Sequence, residues 1–393
     1  MADQFNKSDI IGVVGAGTMG TGIAQVASTY GHEVYLYDAY ESALNKSENG
    51  LRKILHRQVE KERMSEAEVQ GILNRIHFVN NTTEFGKCGM VIEAVVEQLE
   101  VKQDVFQRLE GIIPQKAVLA TNTSSISIAS LSSVLKHPKR LLGIHFFNPA
   151  PLMPLVELIP SITTDENFLT KARNLIDKWG KTTVQAKDTP GFIVNRVARP
   201  FYSEALRQLE ESVADVPTID WAIKEIGGFK MGPFELMDFI GNDVNFKVTE
   251  TVFEEFFYDP RFKPSFTQKR MVEAGWYGRK TGRGFYHYGK HAENPEPTRD
   301  QELGEKIINR ILVMLINEAA DAVFMNIATP EDVDLAMTKG VNYPKGLLHW
   351  ADELGIDWVL GQLEELQEEY GKDRYRPNPL LKRMSHQNKT FFN

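Results

Sequence analysis

The stretch Ile10–Asp38, IIGVVGAGTMGTGIAQVASTYGHEVYLYD, decides the fold of the amino-terminal part of this chain. Its apolar run Ile10–Val14 predicts a buried strand, which leads directly into the motif Gly15-Ala16-Gly17-Thr18-Met19-Gly20. Asp38 closes the next apolar run, about 20 residues after the motif. A strand, a G-x-G-x-x-G turn that opens a helix, and an acid at the end of the following strand together indicate a dinucleotide-binding unit.

The motif residues have distinct physical roles in such a unit. Gly15 allows the tight turn, Gly17 lets the backbone approach the pyrophosphate, and Gly20 lets the helix pack near the strand. The free N–H groups of the helix start at Thr18-Met19 favour an anion. A carboxylate at Asp38 suits the ribose 2′-hydroxyl and repels a 2′-phosphate, so we expect NAD rather than NADP. The alternative is a structural glycine turn, with Asp38 as a surface residue.

Length and composition limit the class of protein. The chain has 393 residues, and at about 100–200 residues per domain we expect two or three domains. A net charge of −8 does not favour bulk attraction to nucleic acid, although a local basic patch is not excluded. Cys88 is the single cysteine, so no intrachain disulfide can form. We find neither the apolar core of a secretory signal nor a membrane-spanning stretch, and therefore expect a cytoplasmic protein without a membrane partner.

Strands and helices alternate from residue 8 to about residue 187. Beyond the first strand, the predicted strands are 34–37, 76–79, 90–92, 117–120, 141–146, 155–158 and 183–185. The charged segment at about 44–75 predicts a helical arm. This alternation is typical of βαβ units. The sequence therefore predicts an α/β fold in which residues 1–187 form a Rossmann-type, mostly parallel sheet domain that binds NAD.

The remainder of the chain has helical spacing and contains an internal repeat. A shift of 114 positions takes Glu204 to Glu318, and the same shift relates several acids and loop glycines, among them Asp220, Gly232, Asp238 and Gly241. The polar, proline-containing stretch 290–299 suits a linker. We therefore predict two related all-α domains, at 188–289 and 300–393. The second copy lacks a match to GWYGRKTGRGFYHY at Gly275–Tyr288, which indicates a degenerate copy.

His145 and Glu157 are the candidate proton-handling pair. His145 ends a predicted strand, and ligands in such folds bind beyond the carboxyl ends of strands. A lone histidine is more often structural, but Glu157 lies within the apolar strand LVELI, where burial is costly unless the carboxylate is paired. If the two strands are neighbours, the carboxylate could hold the imidazole and stabilise the imidazolium. The alternative is Glu157 at a sheet edge in water.

Two further polar positions are open to more than one interpretation. The hydroxyls of Thr121–Ser125 follow a predicted strand and suit either hydrogen bonds to a ligand or the N-cap of the next helix. Asn195 begins the helical part, where its amide could bind a substrate carbonyl or serve as interdomain glue.

Together these motifs resemble those of the L-3-hydroxyacyl-CoA dehydrogenase family, and the 3-hydroxybutyryl-CoA dehydrogenases are the most similar type. The resemblance covers about residues 8–288. It is carried by the glycine motif with Asp38, VEQLEVK with Glu97 and Lys102, NTSS, HFFNP, the strand glutamate and DTPGFIVNR. It implies reversible, NAD-dependent oxidation of a short L-3-hydroxyacyl-CoA, such as 3-hydroxybutyryl-CoA, to the 3-ketoacyl-CoA. The acyl-CoA is then the partner molecule, and no metal is implied.

The resemblance also implies residue roles. His145 is then the catalytic base with Glu157 as its partner, while Ser124 and Asn195 contact the substrate. The NAD site is then lined, beyond the glycine motif, by Asp38, Glu97, Lys102, Ser124, Asn148 and Lys280. The helical arm resembles one that holds CoA. Arg57 sits where the family often has a lysine for the nucleotide phosphates, and Gly50 replaces a serine that the family often uses. Composition alone favours a solvated face for Lys53, Arg57 and Lys61.

Several alternatives remain at this stage. A β-hydroxyacid dehydrogenase of similar plan usually relies on a lysine where this chain has Asn195, and an NAD-binding protein without turnover would not need the His–Glu pair. The acyl group could be dicarboxylic, as in 3-hydroxyadipyl-CoA, and such a substrate needs a cation, for which Arg196 and Arg199 are candidates. The second helical copy could be a built-in partner in a monomer or an interface in a homodimer.

Overall fold

The computed structural model describes residues 5–392 and divides into two compact units. The first ends at Phe192 and the second begins at Ile193. The strands of the first unit are β1 Ile10–Val14, β2 Val34–Tyr37, β3 Ile76–Val79, β4 Cys88–Glu93, β5 Val118–Thr121, β6 Leu141–Phe146, β7 Leu155–Pro160 and β8 Thr182–Gln185. Its helices are α1 Thr18–Thr29, α2 Glu41–Glu60, α3 Glu66–Asn74, α4 Leu99–Glu110, α5 Ile128–Ser132 and α6 Glu166–Lys178.

The eight strands form one sheet in the order β3-β2-β1-β4-β5-β6-β7-β8. The pairings from β3 through β6 are parallel, as the strand–helix alternation predicted. Strand β7 returns antiparallel to β6, and β8 runs parallel to β7. The order reverses between β1 and β4, so a crevice opens outside the carboxyl ends of these strands, where doubly wound folds bind their ligands.

Apolar strands and amphipathic helices build the core of the first unit. Ile11, Val13 and Leu36 are fully buried in the sheet, and the apolar faces of the helices cover it. Helix α3 starts after Ser65, because Ser65 and Glu68 form a reciprocal capping box. The predicted arm at about 44–75 consists of α2 and α3.

The boundary between the units lies after Phe192, beyond the predicted boundary at residue 187. Asp188 belongs to the first unit because its carboxylate accepts hydrogen bonds from the backbone N–H groups of Ile128 and Ala129, at 3.0 and 2.8 Å, and from the hydroxyl of Ser127. This carboxylate satisfies free donors at the start of α5, a role that the apolar pattern of the sequence did not reveal.

The second unit is helical and contains both copies of the repeat. The helices of its first copy are α7 Val194–Val197, α8 Arg199–Glu210, α9 Val216–Trp221, α10 Pro233–Ile240, α11 Asn242–Glu255 and α12 Phe266–Glu273. Those of its second copy are α13 Gln301–Phe324, α14 Pro330–Gly340, α15 Leu347–Leu354, α16 Ile356–Tyr370 and α17 Pro379–Gln387.

The backbone repeats itself at the predicted shift. Helices α15 and α16 begin 114 positions after α10 and α11, and Gly355 repeats the positive φ of Gly241. The buried carboxylates also repeat: Asp220 accepts two N–H bonds at the start of α10, and Asp334 accepts two at the start of α15. The repeat is therefore one of conformation and capping as well as of sequence.

The expectation that the second copy lacks the whole of Gly275–Tyr288 is wrong at its final turn. Asp238 accepts the N–H groups of Phe285 and Tyr286, and Asp352 accepts those of Phe391 and Phe392 in the same manner. The two aromatic residues at the end of the chain thus take the place of Phe285-Tyr286. A fixed sequence shift missed them because the intervening segment is shorter in the second copy.

Reciprocal ion pairs join the two copies. Arg196 bonds Glu318 at 2.6 Å, and Arg310 bonds Glu204 at 3.1 Å. Arg310 is the repeat equivalent of Arg196, and Glu318 that of Glu204. A contact in which residue i meets j′ while i′ meets j is the pattern of a two-fold interface, here built within one chain.

A search of the helices within residues 5–392 finds none that is both long and apolar enough to span a bilayer.

Two glycines of the second copy provide a matched test of the packing at α15. A Cβ at Gly346 would lie 2.2 Å from Oδ2 of Asp334, whereas a Cβ at Gly361 in α16 meets nothing within 4 Å. We expect Gly346→Ala to lower the free energy of unfolding by about 1–3 kcal/mol through overpacking. We expect Gly361→Ala to raise it by about 0.5–1 kcal/mol, because glycine costs entropy inside a helix. Urea unfolding followed by circular dichroism measures both, and equal effects would contradict the packing described.

Candidate active site

The glycine-rich turn lies at the carboxyl end of β1 in the geometry that a dinucleotide requires. Gly15 has φ of 104°, and a Cβ on Gly20 would lie 1.8 Å from the carbonyl oxygen of Gly15. Only glycine fits either position. A Cβ on Gly17 would meet nothing within 4 Å, so the turn is open where a ligand can approach the backbone.

The start of α1 suits an anionic group. Its N-cap residue Gly17 has no side chain with which to cap the helix, and within the described part of the chain no side chain bonds its first N–H groups. Free N–H groups and the helix dipole together favour a pyrophosphate at Thr18 and Met19. Asp38 stands beside this turn because its Oδ2 accepts the N–H of Ala16 at 2.8 Å. These residues fit NAD.

The His145–Glu157 pair is formed. The antiparallel register of β6 and β7 places His145 opposite Glu157, and Nδ1 of the imidazole lies 2.7 Å from Oε2 of the carboxylate. Both side chains are buried, and Glu157 is fully so. A carboxylate accepts but does not donate, so this bond holds the proton on Nδ1 and leaves Nε2 as the ring nitrogen able to accept a proton.

Two aromatic rings and a hydrogen bond to the backbone of β6 fix the position of His145. The rings of Phe147 and Phe192 lie 4.6 and 5.8 Å from the imidazole, centroid to centroid. The N–H of Phe146 donates to Oδ1 of Asn122 at 2.8 Å, which ties the end of β6 to the end of β5. The histidine therefore stands in a packed and hydrogen-bonded frame.

A buried charge network lies at the ends of β4 and β5. Lys102 is 1% exposed, and its Nζ lies 2.7 Å from Glu93 and 3.2 Å from Glu97. Burial raises the pKa of Glu93, and Lys102 opposes that rise. Burial also acts to raise the pKa of Glu97, but Lys102 and the hydrogen bonds from Thr123 and Ser124 outweigh it, so this pKa lies below its ordinary value.

The hydroxyls of Thr121–Ser125 are mostly taken up by this network. Thr121 donates to Glu93 at 2.7 Å, while Thr123 and Ser125 donate to Glu97. Their alternative role as the N-cap of the next helix is wrong, because Ser127 caps α5. Within residues 5–392, Ser124 offers its N–H to Glu97 but no hydrogen bond from its hydroxyl, which leaves that group for a ligand.

The other predicted site residues lie apart from this cluster or in the second unit. Asn148 is exposed in the loop after β6, and Arg57 is exposed near the end of α2. Gly50 lies in the same helix with open space around it. In the helical unit, Asn195 is half-buried in α7, and Lys280 pairs with Asp243 at 2.6 Å. Their roles toward NAD or the substrate stay predictions.

Sequence reasoning missed Glu93 and Asn122. Glu93 closes the apolar run CGMVIE and is the acid that holds Lys102. Glu157 was recognised because it is an acid within an apolar strand, where burial requires a partner. Glu93 is likewise an acid at the end of an apolar strand, so the same argument could have identified it. Asn122 stood within the hydroxyl-rich stretch, but its bond to β6 depends on the order of the strands.

Comparisons with known proteins find family domains over most of the chain. Residues 10–189 match the family model described as 3-hydroxyacyl-CoA dehydrogenase, NAD binding domain. Residues 191–288 and 307–390 both match its C-terminal domain, so each helical copy is a family domain. The chain belongs to the 3-hydroxyacyl-CoA dehydrogenase family. It is thus an NAD-dependent oxidoreductase, as the motifs predicted.

Relatives of two lengths are similar to the chain. The 3-hydroxyadipyl-CoA dehydrogenase of Escherichia coli K12 is 36% identical, with 95% of this chain and 96% of the relative covered. A 3-hydroxybutyryl-CoA dehydrogenase of Bradyrhizobium diazoefficiens is 41% identical over 74% of this chain and 98% of its own length. The crystal structure of a 3-hydroxybutyryl-CoA dehydrogenase from Escherichia coli K12 superposes with a TM-score of 0.92 at 34% identity, covering 98% of this chain and 99% of that one.

The charge network predicts a large asymmetry between two lysine substitutions. Lys102→Met leaves Glu93 buried without its cation, and we expect a loss of about 3–5 kcal/mol in the free energy of unfolding. Lys116→Met removes an exposed lysine and should change it by less than about 0.5 kcal/mol. Chemical denaturation measures both. Adding Glu93→Gln to Lys102→Met should restore part of the loss; no recovery would mean that the uncompensated charge is not the cause.

Proposed function

We propose that this enzyme oxidises the 3-hydroxyl of an L-3-hydroxyacyl-CoA to the ketone, with His145 as general base and Glu157 as its partner. The observation that carries the proposal is the 2.7 Å bond between Nδ1 of His145 and the fully buried Glu157. The pair stands in the same sheet as the NAD-binding turn. The proposed substrate class is that named for its relatives in the family.

The chain's own residues handle the proton. NAD, when bound, supplies the acceptor for the hydride that leaves C3. Nε2 of His145 takes the proton of the 3-hydroxyl as the carbonyl forms. Glu157 accepts the hydrogen bond from Nδ1, holds the tautomer that leaves Nε2 basic, and offsets the charge of the imidazolium. In the reverse direction the imidazolium returns that proton to the alkoxide oxygen of the reduced ketone.

Three polar side chains orient the substrate in the proposal. The hydroxyl of Ser124 donates to the oxygen at C3, and the amide of Asn195 binds the thioester carbonyl. Arg57 on α2 meets the phosphates of CoA. Ser124 is supported by its neighbours, since Glu97 bonds the hydroxyls of Thr123 and Ser125 and leaves that of Ser124.

The acyl group has two candidates. The relatives that match the first three quarters of the chain bear the name 3-hydroxybutyryl-CoA dehydrogenase, which supports a short monocarboxylic acyl group. A relative that also spans the second helical copy bears the name 3-hydroxyadipyl-CoA dehydrogenase, which supports a dicarboxylic one. A solved structure of the same span bears the name 3-hydroxybutyryl-CoA dehydrogenase, so the length of the chain does not choose between the two. Consumption of NADH with acetoacetyl-CoA but not with free acetoacetate tests the requirement for CoA. Turnover of free acetoacetate alone would favour a hydroxyacid dehydrogenase.

Removal of the base should abolish most turnover but not cofactor binding. We expect His145→Ala to reduce kcat by roughly 10²–10⁴-fold, the usual contribution of a general base. The affinity for NADH, measured by fluorescence titration, should stay nearly unchanged. His137→Ala, which removes an exposed histidine, is the matched control and should retain full kcat. A fully active His145→Ala variant would remove the assignment of the base.

Removal of the partner's charge should act through the tautomer of His145. In Glu157→Gln the amide keeps the shape of the side chain, but its NH₂ group can donate to Nδ1 and so favour the tautomer whose Nε2 is protonated. We expect kcat to fall by roughly 10²-fold or more, with an unchanged KM for NAD. A variant that keeps the kcat of the parent enzyme would show that the carboxylate does not act on the base.

A further inference from the structure

The helical unit contains a buried cation that the proposed chemistry does not use. Arg199 begins α8 and is 5% exposed. Within residues 5–392, the guanidinium of Arg199 forms one hydrogen bond, from Nη1 to the hydroxyl of Thr249 at 3.2 Å. It lies 4.9 Å from the ring centroid of Tyr202. Burial lowers the pKa of Arg199, yet an arginine stays protonated in proteins. A full positive charge is thus held away from water.

Among the described residues, Arg199 is the only buried arginine without a nearby carboxylate. The remaining ones all have a carboxylate oxygen within 4.0 Å; they are Arg140, Arg196, Arg207, Arg310 and Arg374. Arg196, the other candidate for a substrate carboxylate, is bound by Glu318 and Asp321 and has no free edge. A buried charge without a counter-ion is costly. The described residues supply no such counter-ion to Arg199, which leaves its charge free to pair with an anionic ligand.

The free atoms around Arg199 match one kind of anion. Within residues 5–392, Nε of Arg199 is buried and has no hydrogen-bond partner. Nη2 also forms no hydrogen bond, but it is not fully buried. Together they form the side-on edge of the guanidinium, which binds a carboxylate through two parallel hydrogen bonds. Two neighbouring hydroxyls are also buried without partners, those of Ser203, one turn further along α8, and of Tyr343. Such donors are found where a polar ligand completes the site.

The internal repeat shows that the fold does not require the cation of Arg199 or the hydroxyl of Tyr343. The shift of 114 takes Arg199 to Val313, so the equivalent helix of the second copy is built without a cation. It also relates Tyr343 to Phe229, and the two rings pack against each other at 5.0 Å. Phe229 occupies the equivalent position without a hydroxyl, so the ring packing does not depend on the hydroxyl of Tyr343. Scaffold pairs such as Arg196–Glu318, in contrast, recur in both copies.

We infer that Arg199, with Tyr343 and Ser203, binds the distal carboxylate of a dicarboxylic acyl group, and that the second helical copy serves the site by supplying Tyr343. This inference rests on the proposed function, because it concerns the acyl chain of that substrate. Arg199 follows Asn195 by four positions, at the start of the helix that comes after α7. The site selects a 3-hydroxy dicarboxylic acyl-CoA over a monocarboxylic one.

The test compares two substrates of equal chain length, 3-hydroxyadipyl-CoA and 3-hydroxyhexanoyl-CoA, which differ by the distal carboxylate. The ratio of their kcat/KM values is measured for the parent enzyme, Arg199→Met and Tyr343→Phe. We expect the parent to favour the dicarboxylic substrate. Loss of the charged hydrogen bonds in Arg199→Met should lower the ratio roughly 10- to 100-fold, and loss of one hydroxyl in Tyr343→Phe roughly 2- to 10-fold.

The second substrate separates the possible failures. If the parent enzyme turns over neither of these substrates nor 3-hydroxybutyryl-CoA, the proposed function is wrong. If it turns over 3-hydroxybutyryl-CoA alone, only the carboxylate site is wrong. If it turns over 3-hydroxyhexanoyl-CoA equally well and the ratio does not respond to Arg199→Met, only the carboxylate site is wrong. Equal losses on both substrates would mean that Arg199 binds a phosphate of CoA or supports the fold. Because Tyr343→Phe copies the residue of the first repeat, it keeps the test valid should Arg199→Met be unstable.

Discussion

The hydrogen bond between His145 and Glu157 is the interaction on which the proposed chemistry of this protein depends. It exists because β7 returns antiparallel to β6, which sets the two residues opposite each other in register. A shift of one residue would turn Glu157 to the other face of the sheet. The sheet surrounds the pair with apolar side chains, so the carboxylate meets little competition from water for the imidazole.

A second arrangement of buried charge stabilises the same edge of the sheet. Lys102 lies between Glu93 and Glu97, and Glu97 in turn holds the turn that carries Ser124. Buried ion pairs rarely add net stability, but they fix geometry when every member is satisfied. The network therefore serves to position the backbone after β5, next to the strand that ends in His145.

The two copies in the helical unit share some buried polar contacts and differ in others. Both copies keep the reciprocal arginine–glutamate pairs and the carboxylates that cap α10 and α15. The copies differ at the positions of Arg199 and Tyr343, which correspond to Val313 and Phe229. A duplicated interface within one chain leaves each copy free to diverge, whereas identical subunits would have to change together.

The sequence by itself determined the local features. The glycine turn with Asp38, the sheet of short apolar strands and the repeat follow from residue type and spacing, because backbone conformation and amphipathic period are local properties. Tertiary structure decided the contacts between distant segments. The burial of Glu93 against Lys102, the bond from Asn122 to β6 and the lack of a carboxylate at Arg199 among residues 5–392 depend on which elements pack together. No local pattern encodes that packing.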